Sequence, residues 1–89
     1  MPTIWKATLK QENVQDVMMP EGAHILCARE QGSDICVWFK CDPERPTRPR
    51  RIEVVGTGHP APDAGNYLGT ASLMGGSLMF HVFETTHIH

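Results

Sequence analysis

Eighty-nine residues with 40% apolar content are enough for one domain with a small core. A chain of this size buries roughly 60 to 65% of its unfolded surface, so extra stability from self-association is expected. A formal charge of −2 and a pI near 6.2 exclude a protein that coats nucleic acid through its overall field, although a local basic patch stays open.

The three cysteines, Cys27, Cys36 and Cys41, are an odd number without a Cys-x-x-Cys pair. This pattern suits free, mostly buried thiols in a reducing cytosol. The start MPTIWKATLK lacks a basic segment followed by a long apolar run, and no stretch approaches the eighteen or so apolar residues of a membrane span. A soluble cytoplasmic protein is expected, a single domain over 1–89 with 84–89 as a flexible tail.

Along the chain, Thr3 to Leu9 alternates as a first strand and the polar stretch Lys10 to Asp16 reads as a turn. Met18, Met19 and Pro20 lead into the turn signal Glu21-Gly22. A second strand follows from His24 to Glu30, then a hairpin connection at Gln31 to Asp34. In Ile35 to Cys41, one face carries Ile35, Val37, Phe39 and Cys41, and the other Cys36, Trp38 and Lys40. Pro43, Pro46 and Pro49 predict an exposed loop of polyproline character up to Arg50. Structure resumes at Ile52 to Val55, and Tyr67 to Leu73 makes a fifth strand. Gly75-Gly76 turns the chain into Ser77 to Glu84. No helical period persists, so the chain reads as all-β, a small antiparallel sandwich or barrel of about six short strands.

The last strand has two apolar faces: Leu78, Phe80 and Val82 on one, Met79, His81 and Phe83 on the other. An outward face is ordinarily polar. Met79, His81 and Phe83 therefore predict an oligomer interface, the alternative being a central strand covered on both sides by its own chain.

The candidate ligand site is the loop Gly56-Thr57-Gly58-His59-Pro60. Its glycines allow close backbone approach, and successive N–H groups in such turns form anion-binding nests. It is neither a Walker loop nor a dinucleotide fingerprint, since no Gly-Lys-Ser/Thr follows and Pro60 blocks a helix. The plain alternative is a bulge with His59 closing the turn. Arg45, Arg48, Arg50 and Arg51 share a segment with Asp42 and Glu44, a local charge of four minus two, or +2. Guanidinium forks suit phosphate, so Arg48 and Arg50 join the ligand set, against the alternative of a solvated loop. Tyr67 follows the loop directly and supplies a stacking ring whose hydroxyl needs a partner.

Other chemistry finds less in the residues. The terminal His87-x-His89 lacks a third ligand at zinc spacing, so neither metal nor cofactor is expected. The acids Asp34, Asp42, Glu53, Asp63 and Glu84 show no paired spacing, and there is no Gly-x-Ser-x-Gly elbow. A strand cysteine beside His59 or His81 is the remaining route to an enzyme.

Thr3-Ile4-Trp5-Lys6, Met19-Pro20-x-Gly22-Ala23, Gly56-Thr57-Gly58-His59-Pro60, Gly69-Thr70 and Gly75-Gly76-x-Leu78-x-Phe80-His81-Val82-Phe83-Glu84 occur in that order. In this the chain resembles a family of short proteins encoded by bacteriophages and prophages and catalogued as a domain of unknown function. The resemblance implies a phage setting and no activity. Without a catalytic set, the expected function is that of an accessory protein that interferes with host defence by binding. The first form is a homo-oligomer that sequesters a small anionic signal such as a cyclic nucleotide; the alternative is a direct grip on a host defence protein or CRISPR complex.

Overall fold

A computed structural model describes residues 1–85. These form seven strands: β1 (Thr3–Thr8), β2 (Val14–Pro20), β3 (His24–Gln31), β4 (Asp34–Cys41), β5 (Thr47–Gly56), β6 (Asn66–Leu73) and β7 (Leu78–Glu84). A short 3-10 turn, Met74–Gly76, joins the last two. The strands make two antiparallel sheets, one ordered β1-β4-β3 and the other β2-β5-β7-β6. The fold is all-β, as the alternation predicts. No helix among the described residues is long and apolar enough to cross a membrane.

Between the sheets lie Leu9, Met19, Ala28, Val37, Phe39, Ile52 and Val82. The expected inner face of β4 is correct at Val37, Phe39 and Cys41; Cys36 on the other face is also buried. Its Sγ lies 3.7 Å from the Thr8 hydroxyl. All three cysteines are free thiols, Cys27 half-buried. Burial first, then the nearby Asp42 charge, pushes the Cys41 thiol pKa up, which keeps it protonated and unreactive.

Two expectations about elements are corrected. Val14–Pro20 is a strand, not the end of a turn and a lead-in. Its inner row is Gln15, Val17 and Met19, so a polar residue occupies a core-facing position and masks the alternation. Gln15 is buried yet satisfied: its amide accepts from the Lys10 N–H at 2.9 Å and donates to the carbonyls of Lys10 and Glu12, both at 3.0 Å. That side chain holds the β1–β2 connection closed.

The second correction concerns β5, which begins at Thr47 and not at Ile52. Pro49 pairs with Met18 of β2, and among the described residues β7 pairs β5 only from Ile52 onward, so no described strand needs an N–H from Pro49 on its other side. At the far end, Glu84 belongs to β7 and Thr85 is buried, so neither is part of a tail. The expected tail beyond them, with His87 and His89, lies outside the described residues.

The sheets meet along β3 and β6. A Cβ added at Gly69 would lie 2.0 Å from the Ala28 carbonyl oxygen, so only glycine fits this approach. Next to it, the Ser72 N–H donates to the Glu30 carboxylate at 2.6 Å. That bond, the largest influence, lowers the Glu30 pKa below its ordinary value. Each seam strand carries a bulge, between Ile25 and Cys27 in β3 and between Tyr67 and Gly69 in β6.

Candidate functional site

On the outer face of the four-stranded sheet, neighbouring strands bring Val55, His81 and Thr70 into one row and Glu53, Phe83 and Tyr67 into the next. His81 shares a hydrogen bond through Nε2 with the Thr57 hydroxyl at 2.9 Å and another through Nδ1 with the Thr70 hydroxyl at 3.1 Å. Thr70 in turn bonds the Tyr67 hydroxyl. The result is a continuous chain, Thr57–His81–Thr70–Tyr67, in which hydroxyl rotors can serve either tautomer of the imidazole.

The bulge in β6 makes this row possible. Tyr67 and Thr70 are three apart, and a regular strand would point them to opposite faces. The extra residue between Tyr67 and Gly69 puts both on the outer side. The Tyr67 and Phe83 rings meet edge to face with centroids 5.7 Å apart. Tyr67 is nevertheless 59% exposed, and Met79, Met18 and Val14 expose large apolar side chains as well. The last two belong to the outer face of β2.

Of the expected site residues, Thr57 and Tyr67 thus join the expected interface residues Met79, His81 and Phe83 on one surface. Gly58, His59 and Pro60 of the glycine loop are exposed, and two of the loop's N–H groups are already used. The Thr57 N–H donates to the Met79 carbonyl at 3.3 Å and the His59 N–H to the Gly56 carbonyl at 3.1 Å. The His59 ring packs over Gly56, where an added Cβ would come within 3.2 Å of it. Gly58 holds a positive φ of 92° that lets the turn close.

Arg48 and Arg50 do not join this surface. On β5 they have the parity of buried Ile52, opposite to that of Val55 and Thr57. Arg48 lies 3.3 Å from a Glu21 oxygen, and Arg45 donates to the same carboxylate at 2.9 Å. The Arg45 hydrogen bond, then the Arg48 charge, lowers the Glu21 pKa. Arg50 grips Glu84 with two nitrogens, Nη2 to Oε1 at 3.0 Å, and donates from Nη1 to the Ala23 carbonyl at 2.9 Å. Its pair is largely sheltered from water. Arg50 is a structural tie between β5 and the segments around it, while exposed Arg48 shares the Glu21 carboxylate with Arg45.

A separate cleft of about 430 Å³ opens where the β1–β2 connection, the β3–β4 hairpin and the β6–β7 turn converge. Leu9, Ile35, Val54, Leu73, Leu78 and Phe80 form its walls, with Lys10, Glu12 and Asp34 also lining it. One cation against two carboxylates does not favour an anion. Met74 at its lip is 77% exposed and holds a φ of 51°. None of the ligand residues expected from the sequence lines the cleft.

Thr70 is the member of the row that the residues did not announce. Gly69-Thr70 stands out as a motif, but only the bulge aligns its hydroxyl with Tyr67. No curated protein matches the chain, and no solved structure does. The family described as domain of unknown function DUF7352 matches residues 1–89, the whole sequence, and the chain belongs to that family.

Proposed function

We propose that this protein acts by binding and not by catalysis, and that the outer face of the four-stranded sheet around His81 grips a protein of the host. The observation that carries the reading is the sharing of one sheet face by exposed Tyr67 and Met79, half-buried Phe83 and the hydroxyl–imidazole row. Rigid aromatic and methionine side chains around a polar centre have the composition of a protein-docking surface.

Catalysis by this row lacks essential parts. Thr57 and His81 have the spacing of a nucleophile and its base, but the group orienting the imidazole is the Thr70 hydroxyl and not a carboxylate. The Thr57 N–H, an obvious oxyanion donor, is engaged by Met79. Sequestration of a cyclic nucleotide has weaker support than a protein partner, because Arg48 and Arg50 are paired with Glu21 and Glu84. The phage setting implied by the motif resemblance makes a host defence protein, met in the cytoplasm, the partner class we propose.

Hydroxyl-radical footprinting tests this. Tyr67 and Met79 should be protected in an extract of the host relative to buffer, while Met1 is not. Cyclic di- and trinucleotides should leave both the footprint and Tm unchanged. A ligand at a hundred times its Kd adds about 2.7 kcal/mol of apparent stability. A rise of that order with a nucleotide, abolished in Thr57→Ala, would return the function to sequestration.

A further inference from the structure

β1 is an edge strand paired with β4 on one side and with no strand on the other among the described residues. The parity of its ladder identifies the groups left over. Leu9 donates to the Ile35 carbonyl at 2.8 Å, in continuation of the β1–β4 register. Hydrogen-bonded pairs in an antiparallel ladder recur at every second residue. Thr3, Trp5 and Ala7 therefore turn their main-chain groups toward β4, and Ile4, Lys6 and Thr8 turn theirs to the open side. Ile4 is 59% and Trp5 42% exposed.

Two devices that blunt an edge, proline and a bulge, are missing here. β1 contains no proline, and the Lys6 ammonium donates to Gln31 at 2.5 Å in place of standing free along the edge.

We propose that β1 pairs antiparallel with β1 of a second copy, joining two three-stranded sheets across a two-fold axis. A strand is the occupant that satisfies an alternating row of N–H and C=O groups, and β1 itself has the matching row. An axis perpendicular to the sheet keeps each face on its own side, so residues pair only with residues of the same parity. Lys6 on the axis would set two lysines opposite each other, which repel. Ile4 on the axis leaves fewer residues paired.

With Trp5 on the axis, Ile4 faces Lys6 of the second copy twice and the Thr8 N–H reaches the Pro2 carbonyl twice, about six main-chain hydrogen bonds. The two Trp5 side chains then form a close non-hydrogen-bonded pair. So short a seam buries less than the roughly 1,200 Å² of a stable interface, and the dimer is a concentration-dependent one with Kd of about micromolar order. It leaves the face around His81 free, so it stands or falls independently of the proposed function.

Sedimentation velocity across about 1 to 500 μM, spanning that Kd, tests the pairing. The mass should rise from one chain toward two. Ile4→Pro, which removes an outward N–H and no bond to β4, should hold it at one chain with an unchanged circular dichroism spectrum. In a Cys27→Ser background, oxidised Trp5→Cys should give a disulfide-linked dimer and Thr8→Cys none. A single-chain mass at the highest concentration, a dimer that survives Ile4→Pro, or equal cross-linking at Thr8→Cys would overturn the proposal.

Discussion

Met74 adopts a left-handed backbone, with φ of 51°, in front of two glycines that do so at no steric cost. A non-glycine residue there carries about 1 to 2 kcal/mol of strain, against about 0.5 to 1 kcal/mol of extra unfolded-state entropy for glycine. Met74→Gly should therefore raise unfolding free energy by about 0.5 to 1 kcal/mol in urea. A loss of stability would show that Met74 makes a contact worth more than its strain. At Gly69 the sign reverses: with the Ala28 carbonyl 2.0 Å from a built Cβ, Gly69→Ala must push the sheets apart. It should cost about 3 kcal/mol or more, and a melt within experimental error of the parent would contradict the close seam.

Individual residues also limit what the sequence can disclose. The Arg48 and Arg50 charges are plain in the sequence, but their partners, Glu21 and Glu84, lie far along the chain and meet them only in the folded ladder. A cluster of arginines therefore looks like an anion site until its carboxylate partners are visible. Arg50→Ala should cost about 2 to 3 kcal/mol, because it orphans the Glu84 carboxylate and the Ala23 carbonyl. A cost below about 0.5 kcal/mol would place the tie among ordinary surface pairs.

Among the elements, β3, β4, β6 and β7 were legible because their apolar periodicity was strong and their turns carry glycine. β2 was not, since Gln15 faces inward and supplies a hydrogen-bonded plug in place of an apolar side chain. The prolines of β5 disguised its first half, and Pro49 does no harm because no strand among the described residues pairs it on the side of β7. The seam between β3 and β6 adds a pH dependence. Glu30 has a folded pKa below the ordinary 4.5 because the Ser72 N–H binds its charged form. Its stabilising contribution is thus present above about the unfolded value near 4.5 and is lost as pH falls through the lower folded value. Glu30→Gln should flatten acid unfolding in this range, and an identical acid limb in both proteins would exclude Glu30 as its source.

For the molecule as a whole, the all-β class and the double-faced β7 were readable from alternation alone. The shared surface was not, because Thr57, Tyr67, Thr70 and His81 converge only through a bulge and three neighbouring strands. The proposed docking of a host protein falls on this surface, and not on the arginine segment or the apolar cleft. Its most direct test places a photo-crosslinking residue at Met79 and, separately, at exposed Arg29 on the other sheet, away from β1, in chains produced within the host. Met79 should give one adduct with a host polypeptide, and that polypeptide, once purified, should bind the parent chain and not Phe83→Asp. Equal labelling from both positions, no adduct from Met79, or full binding by a folded Phe83→Asp would contradict the claim.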